Sequence, residues 1–178
     1  MCYTKYIFTN FHRHGFGVLS KKLPNGVFSL EYRGDWVRGK PEGAGWRYFD
    51  NGDVYFGFWK RGYRDGYGKM WYRDGTFYVG YWERNKKHGL GMFVQLNGNR
   101  YEGHWEDDLR HGLGRFYHMH TGQLQEGCWV RGVCVRSKMS DIIIRQFSVA
   151  GSCPAGDIRL ISTNVCTPIM GVYIYLCI

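Results

Sequence analysis

The sequence predicts an all-β protein, an elongated array of antiparallel β-hairpins of solenoid type with an atypical C-terminal tail. Three observations predict it. The triplet Tyr-x-Gly-x-Trp occurs at Tyr32/Gly34/Trp36, Tyr55/Gly57/Trp59, Tyr78/Gly80/Trp82 and Tyr101/Gly103/Trp105, each copy 23 residues after the last. Gly-x-Gly pairs at Gly43/Gly45, Gly66/Gly68, Gly89/Gly91 and Gly112/Gly114 keep the same step, and Asn51-Gly52, Asp74-Gly75, Asn97-Gly98 and Thr121-Gly122 recur at a third fixed phase. A fixed period of this length marks a repeat architecture in which each unit packs only on its neighbours.

The repeating unit is a hairpin, seen best from Gly89 to Trp105. Two short runs rich in aromatic and aliphatic residues flank Asn97-Gly98, a dipeptide suited to a type I′ turn because both central residues take positive φ. In a strand, residues i, i+2 and i+4 point to one face, so Tyr, Gly and Trp of each triplet share a side and the glycine leaves a gap between two large rings. The Gly-x-Gly pair offers another bare stretch of backbone over which rings can lie flat. Aromatic cover of this kind offsets the entropy that a strand glycine loses.

At the N-terminus, residues 1–13 read as a degenerate strand. Gly15-Phe16-Gly17 is the second strand of a hairpin whose first strand falls at Thr4-Lys5-Tyr6-Ile7-Phe8, which lacks the triplet. Five extra residues around Lys21-Lys22-Leu23-Pro24-Asn25-Gly26 are expected to lengthen one hairpin loop. The array proper spans 14–132, with a weaker fifth triplet at Gly127/Trp129. Beyond it the pattern would need glycines where Arg136 and Lys138 stand, so the strand ending near Trp129 is expected to keep an open edge, an invitation to pair with another chain. Asp141 to Val149 could supply a capping strand. Residues 133–178 form a non-repeat tail without tryptophan, with Cys134, Cys153, Cys166 and Cys177 among the six cysteines and an apolar end at Ile169 to Ile178. The tail reads as the unstructured end of an alternative or truncated product, or as a cap or membrane-dipping anchor.

The triplets and Gly-x-Gly pairs from His14 to Arg131 resemble the MORN repeat. That resemblance implies a twisted run of antiparallel hairpins with assembly roles and, as the family's name suggests, membrane attachment. A finer likeness rests on Gly15-Phe16-Gly17-Val18-Leu19-Ser20, on Asn97 to Gly103, and on Gly122-Gln123-Leu124 with Glu126-Gly127-Cys128-Trp129-Val130. These resemble the MORN repeat-containing protein 3 group, which implies protein partners in the sperm acrosome, flagellum or cilium. The chain departs from that group in lacking its earlier repeats and in its different end.

At 178 residues, 18% aromatic and with 26 glycines, the chain is unusual for a globular domain. No run reaches the ~18 apolar residues of a spanning helix, and Met1 to His14 lacks the apolar core of a secretory leader, so a cytoplasmic location is expected. The tail cysteines lack the C-x-x-C spacing of a zinc site, and the His12/His14 and His118/His120 pairs have no third ligand in phase, so no metal or other cofactor is expected. No nucleophile has a partnered base, and the glycine pairs never extend to a phosphate-binding loop, so no catalytic residue is assigned.

Two candidate surfaces remain. Tyr55, Trp59, Tyr78, Trp82, Tyr101 and Trp105 are expected to line a partner-binding groove, because one sheet cannot cover both of its own faces. Much of the net charge of +9 falls on one set of turns. Arg38, Lys40, Lys60, Arg61, Arg64, Arg84, Lys86, Lys87 and Arg110 are expected to align as a basic ridge that meets an anionic phospholipid surface or an acidic partner, each residue contributing about 1 kcal/mol at a bilayer. The competing reading is a solubilising rim. Nucleic acid is not expected as a partner, since the repeat already claims the aromatics.

Overall fold

Strand-forming runs separated by short turns at a fixed step can only pair in order, and they do. A computed structural model describes residues 7–9 and 12–142. They form one twelve-stranded antiparallel meander in which every strand pairs with its sequence neighbours. The strands are β1 (Ile7–Thr9), β2 (His12–Lys22), β3 (Phe28–Val37), β4 (Lys40–Tyr48), β5 (Val54–Lys60) and β6 (Tyr63–Trp71), then β7 (Phe77–Glu83), β8 (Lys86–Val94), β9 (Arg100–Glu106), β10 (Leu109–His118), β11 (Gln123–Val130) and β12 (Val133–Asp141). At ~4.8 Å per strand the sheet is about 50 Å across. Among the described residues there is no helix.

The register is pinned by a line of glycines. Gly17 faces Gly34, Gly34 faces Gly45, Gly45 faces Gly57, and the pairing continues through Gly68, Gly80, Gly91, Gly103, Gly114 and Gly127. The line crosses the sheet from β2 to β11. Along each triplet strand a register shift follows the glycine: Gly34 pairs with Gly45 but Trp36 with Pro41, so Asp35 alone spans Glu42, Gly43 and Ala44. The same bulge recurs at Gly57/Trp59, Gly80/Trp82 and Gly103/Trp105.

The bulge separates the roles of the two glycines in each Gly-x-Gly pair, which the repeat pattern alone does not distinguish. The first, such as Gly89 at φ +64°, sits on the bulge in left-handed backbone. The second, such as Gly91, lies under a tyrosine ring with no room for a Cβ.

Turn chemistry differs from expectation. Asn97 does not take positive φ; only Gly98 does, at +79°. Gln95 donates its N–H to the Asn99 carbonyl at 2.8 Å, Gly98 donates to Gln95 at 2.9 Å, and Asn97 Oδ1 accepts from Asn99 N at 3.0 Å. This is a three-residue loop with one left-handed residue. Two-residue turns with positive φ at both positions occur instead at the other ends of the strands, at Arg38-Gly39, Arg61-Gly62, Arg84-Asn85, Asp107-Asp108 and Arg131-Gly132. At Arg84, Asn85, Asp107 and Asp108 no glycine relieves the left-handed backbone.

Two further expectations are corrected. The extra residues before Tyr32 do not lengthen a loop, because Leu23 to Val27 closes with the bonds seen at Phe49 to Asp53; they lengthen β2 and β3, which carry a bulge at Leu19/Ser20. The strand ending near Trp129 has no open edge either. β12 covers β11 from Gln123↔Asp141 to Val130↔Val133, so strand pairing runs past residue 132; the register shifts by one, Ser137 faces Gly127, and a side chain is tolerated there because no tyrosine ring occupies that place. Gln125 stands there and donates to Ser137 Oγ at 3.0 Å. Of the expected first strand, Ile7 and Phe8 lie in β1 and Thr4 to Tyr6 lie outside the described residues, as do most of the suggested capping strand and the tail from 143 onward.

Candidate functional site

One face of the sheet, here face one, carries Tyr32, Trp36, Tyr55, Trp59, Tyr78, Trp82, Tyr101, Trp105 and Trp129. The tyrosines are 0% exposed and the tryptophans at most 8%. Each tyrosine ring lies flat over a glycine pair, and its hydroxyl donates to the carbonyl three residues on: Tyr55 to Phe58 at 3.1 Å, Tyr78 to Tyr81 at 3.0 Å, Tyr101 to His104 at 3.1 Å. Four of the tryptophans donate Nε1–H to the carbonyl of the second glycine of the preceding pair, Trp36 to Gly17 at 3.4 Å, Trp59 to Gly45 at 3.2 Å, Trp82 to Gly68 at 3.4 Å and Trp105 to Gly91 at 3.1 Å. Rings and glycine backbone are therefore joined by bonds as well as by contact.

The rings meet edge to face without a break. Within a unit Tyr78 and Trp82 lie 5.1 Å apart at 87°, and across the next boundary Tyr78 meets Trp105 at 5.4 Å and 85°. The zigzag runs on through Tyr32–Trp59, Tyr55–Trp82 and Tyr101–Trp129. Edge-to-face pairs contribute about 0.5–1.5 kcal/mol each beyond area burial. The six rings assigned to a groove are thus interior, sealed against their own neighbours, and offer a partner almost no surface. This corrects the expected accessibility of Tyr55, Trp59, Tyr78, Trp82, Tyr101 and Trp105: successive units close over one another's rings.

Three members of the expected basic ridge complete the seal. With a two-residue turn between strands, the residue five beyond each tryptophan pairs with it, giving Trp59↔Arg64, Trp82↔Lys87 and Trp105↔Arg110. The Arg64 guanidinium lies 4.2 Å from the Trp82 centroid and 5.6 Å from that of Tyr55. Lys87 Nζ sits 5.1 Å from Trp105, 5.1 Å from Phe93 and 5.5 Å from Tyr78. Arg110 lies 5.0 Å from Tyr101 and 4.9 Å from Phe116. Burial lowers the proton affinity of all three, and for Lys87 the neighbouring Arg64 and Arg110 charges push the same way while Asp108 opposes.

The other six, Arg38, Lys40, Lys60, Arg61, Arg84 and Lys86, are exposed at the two-residue turns or beside them. Successive turns are tied at the 23-residue step, with Gly62 N donating to Pro41, Asn85 N to Arg64 and Asp108 N to Lys87. The ridge is an aligned edge, though of mixed sign: Lys86 pairs with Asp107 at 3.1 Å, and His88 and His111 lie 3.5 and 3.1 Å from Glu83 and Glu106. A shallow depression of about 850 Å³ opens between Arg61 and Arg84, lined also by Lys60, Tyr63, Tyr81 and His88.

Face two carries what no sequence signal had singled out. Its residues are the variable positions inside the motifs, the x of Gly-x-Gly and the residue between Gly and Trp. Phe58, Tyr67, Tyr81, Leu90 and Leu113 fall in one row from β5 to β10, Tyr67 opposite Tyr81 with rings 5.7 Å apart, and each is about half exposed or more. Trp46 stacks on Phe56 at 4.4 Å and on Trp71 at 6.0 Å on the same face. Period-2 alternation alone would have found this row; the eye is drawn instead to the invariant letters of the motif.

The buried tyrosines set an alkaline limit on stability. Burial pushes the Tyr101 hydroxyl up to about 12, and the hydroxyls of Tyr32, Tyr55 and Tyr78 higher still, from an ordinary value near 10. A group whose pKa is raised by folding contributes stability in full below its unfolded value and loses it as pH rises through the folded one. Denaturant midpoints should therefore hold steady to about pH 10 and fall between pH 10 and 12, with tyrosinate absorbance appearing together with unfolding. Early titration of these four tyrosines in the folded chain would contradict their burial.

The model of the MORN repeat matches residues 32–54, 55–77, 78–100 and 101–118, each unit opening on the tyrosine of a triplet. No curated protein matches the chain.

Proposed function

We propose that this chain, a MORN-repeat protein by its four matched units, is a non-catalytic scaffold that holds segments of protein partners. The repeat is a non-enzymatic type whose known roles are protein and membrane interactions. The observation that supports this reading is the row on face two, where Phe58, Tyr67, Tyr81, Leu90 and Leu113 stand about half exposed or more on five of six successive strands and His104 takes the place on β9. Contiguous exposed apolar surface of this extent marks an interaction site in a soluble chain. The test is binding of displayed peptide libraries to the full chain and to the triple variant Tyr81→Ser, Leu90→Ser, Leu113→Ser. All three side chains point away from the ring ladder, so the variant should fold, and enriched peptides should lose it. Unchanged binding would remove face two from the reading.

The likeness to the protein 3 group extends the proposal to assembly of the acrosome, flagellum or cilium, in the cytoplasm of spermatogenic or ciliated cells. Proximity labelling there should mark axonemal or acrosomal neighbours; labelling confined to bulk cytosolic proteins would count against it.

A second reading is supported by the stacked turns, which place Arg61, Arg84 and Lys86 along one edge. Through that edge the chain would attach peripherally to anionic phospholipid. Flotation with phosphoinositide vesicles should be lost on Arg61→Glu, Arg84→Glu, Lys86→Glu substitution, and equal flotation of both forms would eliminate it.

A further inference from the structure

The charged groups of Arg64, Lys87 and Arg110 have no carboxylate oxygen within 4 Å among the described residues, although those of Lys21, Lys86, Arg100 and Arg115 do; Asp108, the nearest acid to Lys87, accepts its backbone N–H at 2.9 Å instead. The Lys87 ammonium and the Arg110 guanidinium make no hydrogen bond at all there, while Arg64 donates to the Asn85 carbonyl at 2.7 Å and weakly to Met70 Sδ at 3.8 Å and keeps further N–H groups free. All three are half-buried on face one, where the rings beneath them supply attraction but no acceptor. Half-desolvated cations without an anionic partner are poised to gain one, because each has already lost part of its hydration.

Their spacing states what the partner looks like. They occupy equivalent register positions on β6, β8 and β10, two strands apart, which is about 9.6 Å per step. A polyproline II segment makes one turn in three residues and rises about 9.3 Å in doing so, and it returns the same side to the surface every third residue. A β-strand rises a similar distance in three residues but turns its third side chain to the opposite face. An α-helix overshoots, its seven-residue repeat rising about 10.5 Å. We propose that face one binds an extended, proline-rich acidic segment in the polyproline II conformation, laid across the strands with Asp or Glu at every third position facing Arg64, Lys87 and Arg110. The contact rests on the three cations and not on the sealed rings beneath them, and a polyproline II segment suits it because little chain entropy is lost on docking. The low proton affinity that burial imposes on Lys87 fits the same picture, since an incoming carboxylate would restore it.

The inference shares with the scaffold reading only the nature of the occupant, a protein segment, and uses a different face. The experiment measures fluorescence anisotropy of labelled peptides on the full chain. Four peptides of equal length and charge are compared: glutamate at every third residue in a proline background, the same glutamates clustered, glutamate at every seventh residue of a helical peptide, and glutamate alternating in a strand-forming peptide. The three-residue period should bind tightest. Lys87→Met and Arg110→Met, which keep an apolar stem on the rings, should each weaken it about fivefold. The Tyr81, Leu90 and Leu113 serine variant should not weaken it. Equal binding of the clustered peptide, or preference for the seven-residue or alternating one, overturns the inference and leaves peptide capture standing. Loss through the face-two variant, with Lys87→Met unaffected, overturns it in favour of the other face. If all four peptides fail while displayed libraries still yield binders, the inference alone falls; if both fail, the scaffold reading falls with it.

Discussion

Gly91→Ala should unfold the centre of the array, while Gly89→Ala, two residues away on the same strand, should leave it folded. The two glycines look interchangeable in the motif, and both are rare choices for a strand. A Cβ built on Gly91 runs into the Tyr78 hydroxyl and comes within 2.5 Å of Cζ and 2.6 Å of Cε2. The tyrosine cannot yield. It is 0% exposed, bonded at 3.0 Å to the Tyr81 carbonyl and wedged edge-on between Trp82 and Trp105. Displacing it strains the packing and strips the hydroxyl of its acceptor, a loss of about 3–6 kcal/mol, which is comparable to the whole stability of a small domain. At Gly89 the nearest atom to a Cβ is Tyr81 Cβ at 3.5 Å, an ordinary contact, and the cost is only that of alanine in left-handed backbone, about 1–2 kcal/mol. Chemical denaturation of the two variants decides the matter. Equal losses would mean that the ring does not lie on Gly91. The double variant Gly91→Ala, Tyr78→Leu should recover part of the loss, because the two changes act on one contact and are not additive.

Trp82→Ala should divide the protein. Removing a buried tryptophan costs about 3–5 kcal/mol wherever it stands. Here the ring also joins the unit that opens at Tyr55 to the unit that opens at Tyr78. It meets both tyrosines edge-on at 5.5 and 5.1 Å, donates to Gly68 and carries Arg64 on its face. In an array whose stability is a sum of nearest-neighbour terms, deleting a central interface lowers cooperativity as well as total stability. Thermal or denaturant unfolding should change from one transition to two, and hydrogen exchange should show the strands on either side of β6 and β7 opening separately. Trp129→Ala is the control. Among the described residues that ring meets only the ring of Tyr101, at 5.1 Å, one strand from β12, so its loss should fray that end without dividing the rest. A single transition in Trp82→Ala would show that backbone pairing couples the units without the rings.

Much of this follows from residue type and spacing. A 23-residue step in three separate signals, with Tyr, Gly and Trp at alternate positions, admits one class of structure: hairpins paired in order with the rings on one side. The expected turn failed at Asn97-Gly98 because the dipeptide serves two loop lengths, and choosing between them depends on how many residues the flanking register leaves over. The expected open edge fails because glycine is required only where a tyrosine must lie on the strand, and the residue that faces Gly127 is Ser137. At β11 the tyrosine is replaced by Gln125, and β12 pairs without glycines.

The candidate site shows the same division. The sequence specifies which residues are large, which are charged and how often they recur, since a repeat repeats its letters. It does not specify which side of a ring remains open, because that depends on how far the twist of the sheet brings one unit over the next. Assembly buries the groove residues to between 0 and 8% exposure and draws Arg64, Lys87 and Arg110 away from the turns onto the rings. It leaves Arg38, Lys40, Lys60, Arg61, Arg84 and Lys86 at the rim and turns the unremarked row from Phe58 to Leu113 outward. Local chemistry names the participants in this protein; the stacking of one hairpin on the next, a property of no single hairpin, decides which of them meets a partner.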